Sequence, residues 1–222
     1  MDKISRKTAL KTYLNQEIIF GEDEIVITDR GMRLHAFKQE IENCQKCPLG
    51  KTRIKFVFGA GNPNAQLMFV GEGPGYEEDR QGEPFVGAAG KLLDKMINAI
   101  QMSRETVYIA NIVKCHPMKD PSQPEKRGND RPPDAAEIAG CISYLEKQME
   151  IIKPKVICAL GGSAAKTLLN TTEGITKLRG KEFIYNGILL IPTYHPSALL
   201  RTPSLKKEAW EDLKKIRDVC TA

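Results

Sequence analysis

Cys44 and Cys47 are separated by two residues and followed by Pro48-Leu49, so one tight turn carries two thiols able to reach the same metal. Cys115 and Cys141 extend the set, with 67 and then 25 residues intervening. Thiolate ligation suits zinc and iron–sulfur chemistry alike, and residue type alone does not choose between them. Buried thiols beside a redox pair are the plainer alternative. A second group of candidates is polar. Glu72, Asn111 and His195 each stand after, or near the end of, a run that reads as a strand, so one crevice at the strand ends would collect all three. A lone histidine such as His195 is more often structural; the convergence is what singles it out.

The elements that must position these residues are legible as alternating runs. Residues 66–70 are apolar enough for a buried strand and end in Gly71-Glu72-Gly73-Pro74-Gly75, a sharp turn that brings backbone close to something. A polar loop with Glu77, Glu78, Asp79, Arg80 and Glu83 follows, then Phe85 and a helix over 91–100. Residues 106–114 read as a second strand carrying Asn111. The stretch 118–133, with five prolines counting Pro117 and with Lys119, Lys126, Arg127 and Arg131, reads as a long exposed loop. Asp134 caps a helix to about residue 152. A third strand, 156–160, contains Cys158 as a core thiol, and Gly161-Gly162-Ser163 opens the next helix. Asn186-Gly187 joins strands 182–185 and 188–192 as a hairpin that leads into Tyr194-His195-Pro196-Ser197. A closing helix spans 204–219, leaving Cys220 as a tail residue. Upstream, 34–43 has helical spacing, 8–14 carries a short helical signal, and a small hairpin is expected around 21–23. The fold class is α/β: three layers, α/β/α, with a central, mostly parallel four-stranded sheet.

Bulk properties narrow the field. With 41% hydrophobic and 27% charged residues, 222 residues make an ordinary globular chain with a core large enough to need no disulfides. There is neither a membrane-spanning apolar run nor a secretory leader, which points to the cytoplasm. The net charge of +5 mildly favours a polyanionic partner. Lys177, Arg179, Lys181, Arg201, Lys206 and Lys207 would grip phosphates if nucleic acid is bound, and are otherwise a solvated basic face.

Taken in order, Cys44-x2-Cys47-Pro48-Leu49, Gly71-Glu72-Gly73-Pro74-Gly75, Pro84-Phe85-Val86-Gly87, Asn111-Ile112-Val113-Lys114-Cys115, Leu160-Gly161 and His195-Pro196-Ser197 resemble family 4, the iron–sulfur branch, of the uracil-DNA glycosylase superfamily. The resemblance covers roughly 34–219 and divides the chain into an N-terminal extension, 1–33, and a glycosylase domain, 34–222. It implies a structural 4Fe-4S cluster on Cys44, Cys47, Cys115 and Cys141. It also implies a uracil pocket in which Phe85 stacks on the flipped base, Asn111 pairs with its N3 and O4 edge, and Glu78 crowds C5 against thymine. His195 would stabilise charge developing at O2, helped by backbone amides at Glu72 and Gly73 next to Gly71. Where other branches carry a water-activating aspartate this chain has Gly73, which leaves Glu72 as the candidate base. Leu199 or Leu200 would be the wedge, with Ser197, Arg201, Gly161 and Ser163 on the DNA.

One departure stands out: the gap between Cys115 and Cys141 exceeds the family's by roughly ten residues, through the Pro-rich loop. A related branch carries an added loop whose histidine traps the sugar covalently, but 118–140 holds no histidine, so turnover is expected. The expected partner is uracil-containing DNA, single- or double-stranded, with a sliding clamp as a further partner, no membrane, and a monomeric state. Two other readings compete. One is a cluster-bearing protein that binds uracil or damaged DNA without turnover; the other is a zinc-stabilised nucleic-acid protein.

Overall fold

A computed structural model describes residues 29–221. The helical signal at 8–14 and the hairpin expected around 21–23 lie outside the described residues. Helix α1 (Asp29–Ile41) begins ahead of the expected residue 34, and α2 (Leu49–Thr52) follows the first cysteine pair. Strands β1 (Ala60–Gly61) and β2 (Leu67–Gly71) lead into α3 (Tyr76–Gln81) and α4 (Ala88–Ala99). Then come β3 (Tyr108–Asn111), α5 (Ala135–Ile152), β4 (Val156–Leu160), α6 (Gly162–Leu169) and α7 (Ile175–Leu178). The hairpin β5 (Phe183–Tyr185) and β6 (Ile188–Thr193) precedes α8 (Pro196–Arg201) and α9 (Lys206–Thr221).

The sheet has the order β1-β3-β2-β4-β6-β5. Its four central strands are parallel, in the pairs β3–β2, β2–β4 and β4–β6. The expected four-stranded sheet is therefore the core of a six-stranded one, extended by antiparallel edges. The two residues of β1 are too few to show an apolar period, and β5 lengthens the sheet through its hairpin with β6.

The side-chain alternation of a strand builds two cores at once. Met68, Val70, Ala110, Ile157, Ala159 and Leu190 face α1, α5 and α6 in one core. Their neighbours Leu67, Phe69, Ile109, Cys158, Leu160 and Ile191 face α4, α8 and α9 in the other. A sheet covered on both faces explains why β2, β3 and β4 are buried along their whole length. Cys158 is the expected core thiol, whereas Cys220, expected in a free tail, is buried because α9 continues to Thr221 and packs it into the second core.

Helix α5 starts where Asp134 and Glu137 cap each other: the Glu137 N–H donates to Asp134 at 2.8 Å, and the Asp134 N–H to Glu137 at 2.8 Å. Arg131 clamps the same Glu137 with two nitrogens, at 2.8 and 2.6 Å. The segment before α5 is thus tied down, and the expected long exposed loop is wrong at both ends. Met118, Asn129 and Pro133 are buried, Met118 pairs with Asp130 as an antiparallel bridge, and the Asn129 amide donates to the carbonyls of Asp120 and Gln123.

Arg179, counted above as part of a basic face, turns inward. Its Nε donates to Asp212 at 3.0 Å, and Asp212, which Thr193 also reaches at 2.7 Å, is 1% exposed. Arg179→Met would leave that carboxylate buried without its cation, and the expected loss is about 3–5 kcal/mol of stability, read by urea denaturation.

Candidate active site

Because the four central strands are parallel, their carboxyl ends lie on one edge. β2 delivers Gly71-Glu72-Gly73, β3 delivers Asn111, β4 runs into Gly161, and β6 runs into His195. A cleft of about 480 Å³ opens there, lined by Glu72, Gly73, Asn111, Gly161 and His195 and also by Glu78, Phe85, Ser163, Ser197 and Arg201. The convergence expected from the strand ends is observed. A cleft of about 600 Å³ between α5 and the β5–β6 hairpin is larger but collects none of the four strand ends.

Asn111 forms the closed end. It is 2% exposed, and its Oδ1 has no hydrogen-bond partner among the described residues, a cost of roughly 1–3 kcal/mol that a ligand donor would relieve. Its backbone is fixed from behind by Lys114, fully buried, whose Nζ donates to the Asn111 carbonyl at 2.9 Å and to Gln148 at 2.6 Å. Gly71 faces it across β2–β3. A Cβ at Gly71 would stand 2.4 Å from Asn111 Oδ1 and 2.6 Å from the Phe85 ring, so only glycine leaves the pocket open.

Phe85 forms the floor in a left-handed backbone conformation, φ 56°, that a non-glycine residue adopts only when its surroundings hold it there. They do so on three sides. Arg104 donates to the carbonyls of Phe85 and, at 3.1 Å, Pro84. Gly90 admits the Phe85 carbonyl where a Cβ would lie 1.7 Å from it. Glu78 accepts from the backbone N–H groups of Val86 and Gly87 at 3.0 and 3.2 Å, and from Gly75 at 3.1 Å. The Glu78 carboxylate is committed to the loop that carries Phe85.

His195 lies 5.6 Å from Phe85, ring centre to ring centre, at the start of α8. Its Nδ1 accepts from the Ser197 N–H at 3.1 Å, which assigns the proton of the neutral ring to Nε2. Burial, and secondarily the Arg201 charge, lower its pKa to about 4. At neutral pH the site therefore holds a neutral imidazole able to donate from Nε2. Gly161, at φ 91°, permits the close approach, since a Cβ there would lie 2.8 Å from that of His195. Ser163 sits in the first turn of α6 beside it.

The two leucines proposed as wedges separate cleanly. Leu199 is 1% exposed and belongs to the second core, so it is unavailable to DNA, whereas Leu200 is 46% exposed. Adjacent helical positions point about 100° apart, and sequence alone did not say which faces out.

Beneath the other face of the sheet the four cysteines of the motif come together as free thiols. Cys115 and Cys141 are buried in the first core, with Cys44 and Cys47 packed against it. Arg53 donates to Cys115 Sγ at 3.1 Å, Tyr144 to Cys44 Sγ at 3.2 Å, and Gly140 brings α5 against Cys47. Burial pushes the Cys115 thiol up to about 12, so ionising it calls for a compensating positive charge such as a bound metal supplies. Among the described residues, no three His, Cys, Asp or Glu side chains are close enough to hold a single ion.

One group was missed in the sequence. His116, fully buried, places Nε2 2.7 Å from Asp130 and Nδ1 3.5 Å from buried Asp79. Burial alone would lower the pKa of His116, but the hydrogen bond to Asp130 and the nearby carboxylates of Asp130 and Asp79 outweigh it and carry it to about 9. Asp130 also lines the cleft. The available signal was the Cys115-His116-Pro117 junction beside a loop rich in polar residues.

Two outcomes are expected from this geometry. Gly71→Ala should abolish ligand binding in the cleft while the far-ultraviolet circular dichroism stays native. His195 should show one Nε2–H tautomer by nitrogen NMR from pH 8 to 5 and titrate only near pH 4. An unfolded imidazole takes up its proton near 6.5, so the contribution of His195 to stability is present above that pH and is lost as pH falls toward 4.

Comparison with known proteins follows the same residues. Residues 58–214 match the model of the uracil DNA glycosylase superfamily. A type-4 uracil-DNA glycosylase of Sulfurisphaera tokodaii is 43% identical, with 84% of each chain covered. One of Archaeoglobus fulgidus is 42% identical over 82% of this chain and 90% of its own. A type-5 uracil-DNA glycosylase of Pyrobaculum aerophilum is 29% identical over 63% of this chain and 64% of its own.

Proposed function

The chain belongs to the uracil DNA glycosylase superfamily, and we propose that it removes uracil from DNA by hydrolysing the N-glycosidic bond, leaving an abasic site. The observation that carries this reading is the buried Asn111 carboxamide oxygen, unpaired among the described residues, at the end of a cleft floored by Phe85. A pocket built this way suits a flat, hydrogen-bonding base removed from its stack. Asn111 pairs with the N3 and O4 edge, and a base offering the wrong pattern would leave buried groups unsatisfied. Phe85 stacks on the ring, and Glu78, fixed by three backbone donors, closes the C5 side against a methyl group.

His195 donates its Nε2–H to uracil O2 as negative charge develops on the departing base, and the backbone N–H groups of Glu72 and Gly73 reinforce it. A neutral donor gains most as that charge grows, so its effect is greater in the transition state than in the ground state. Leu200 fills the space the base leaves, while Ser197, Arg201, Gly161 and Ser163 hold the backbone.

Cys44, Cys47, Cys115 and Cys141 hold a 4Fe-4S cluster. The support is that four free thiols gather in and against one core, an all-cysteine donor set of the kind that would hold such a cluster. When bound, the cluster supplies cross-linking of the first cysteine turn, β3 and α5, and buried Lys114 provides a positive charge beside it. The domain spans 34–222, with 1–33 as an extension and α1 crossing the boundary. The protein works in the cytoplasm as a monomer on uracil-containing DNA, single- or double-stranded, with a sliding clamp as a further partner. No described helix is long and apolar enough to cross a membrane.

Free uracil should appear from a uracil-containing oligonucleotide, and His195→Ala should release it about 100-fold or more slowly with binding largely retained. Binding without release by the wild type would instead favour a damage-binding protein. The purified protein should absorb near roughly 400 nm from thiolate-bound iron; Cys141→Ser should lose that band and melt at lower temperature, and a colourless, zinc-containing wild type would refute the cluster.

A further inference from the structure

We propose that Asp130 is a further catalytic residue of this site, the carboxylate that holds and deprotonates the attacking water at the mouth of the pocket. The assignment rests on the uracil-excision reading above.

Three carboxylates line the cleft: Glu72, Glu78 and Asp130. Glu78 is occupied by three backbone N–H groups. The Glu72 backbone carbonyl accepts from Val113, but among the described residues no hydrogen bond or ion pair fixes its carboxylate, and a base that must meet one water in one place gains from being held there. Asp130 is both fixed and accessible. Its Oδ1 is 2.7 Å from His116 Nε2, while 53% of the side chain stays exposed. His116 Nδ1 faces Asp79 Oδ2 at 3.5 Å as an ion-pair contact without a hydrogen bond, and Asp79 is itself fixed where its Oδ1 receives the N–H groups of Ile54 and Lys55 at 3.0 and 3.3 Å. A chain of aspartate, imidazole and aspartate thus runs from the core to the pocket mouth. The hydrogen bond from His116, above all, lowers the Asp130 pKa and keeps the carboxylate ionised.

The loop that brings Asp130 is held against the site. Tyr76, at the start of α3, is covered by Arg80 and Arg127 at 4.0 and 4.9 Å, and these arginines pair with Glu125 and Glu77. Gly75 leaves open the space where its Cβ would lie 3.6 Å from Asp130 and 3.1 Å from Glu78.

In the step itself the C1′–N1 bond breaks with its electron pair on uracil, and the water oxygen bonds to C1′. The water proton passes to Asp130 and then to solvent, and the uracil anion takes a proton from solvent. Because the sugar is already cation-like, a weakly basic carboxylate suffices.

Asp130→Asn keeps an acceptor for His116 and removes only the charge. Single-turnover uracil release should fall about 100-fold, with affinity for DNA carrying a non-hydrolysable 2′-fluoro-deoxyuridine unchanged and a native far-ultraviolet circular dichroism spectrum. Glu72→Gln should lose less than tenfold. Asp130→Ala should be slow and should be rescued by added formate, which a structural role would not permit. A rate for Asp130→Asn within tenfold of wild type, a larger loss in Glu72→Gln, or absence of formate rescue overturns the assignment. A wild type that releases no uracil overturns the excision reading, and this one with it.

Discussion

The buried Asn111 carboxamide oxygen, without a partner among the described residues, is the constraint on which the rest of the structure depends. A side chain so placed would ordinarily rotate toward a donor or toward water. Here it has no room to do so: β3 is buried along its length, Lys114 pins the Asn111 carbonyl from below, and Gly71 and Phe85 close in from the next strand and the floor. The pocket is therefore organised before any ligand arrives, and the local instability is held by the two cores on either side of the sheet.

The same division of labour recurs around the site. Charged groups that would be natural candidates for chemistry are largely committed to backbone. Glu78 secures the loop carrying Phe85, Arg104 holds the strained Phe85 carbonyl, and Glu137 caps α5. What is left facing the cleft is a carboxamide, a neutral imidazole whose tautomer Ser197 sets, the Ser163 hydroxyl, the Arg201 cation and carboxylates. A low-dielectric pocket with few, fixed polar groups is where a single hydrogen bond to a developing anion counts most. On the opposite side of the sheet, the thiols and Lys114 connect through Asn111 to this pocket, so whatever secures the cysteines also steadies the end of β3.

Much of this was legible in the sequence because strands announce themselves by apolar runs and parallel strands must end on one edge. The runs at β2 and β4, the hairpin turn at Asn186-Gly187 and the placement of Glu72, Asn111 and His195 at strand ends all follow from local rules. What escaped depended on long-range packing. Leu199 and Leu200 differ only in which side of α8 meets the core. Arg179 looks like surface charge until Asp212 arrives from α9. The chain Asp79–His116–Asp130 joins three separate segments, and composition made its loop look free when its ends are buried and hydrogen-bonded. The edge strand β1 is too short to carry any period.

The central claim is that the Asn111 carboxamide reads the edge of a base in this pocket. Titrating free uracil and free cytosine into the nitrogen-labelled protein, while following the Asn111 side-chain amide by NMR, tests it most directly. Uracil should shift that resonance saturably, and cytosine should leave it in place at the same concentrations. An Asn111 signal unmoved by uracil, or moved equally by cytosine, would contradict the account.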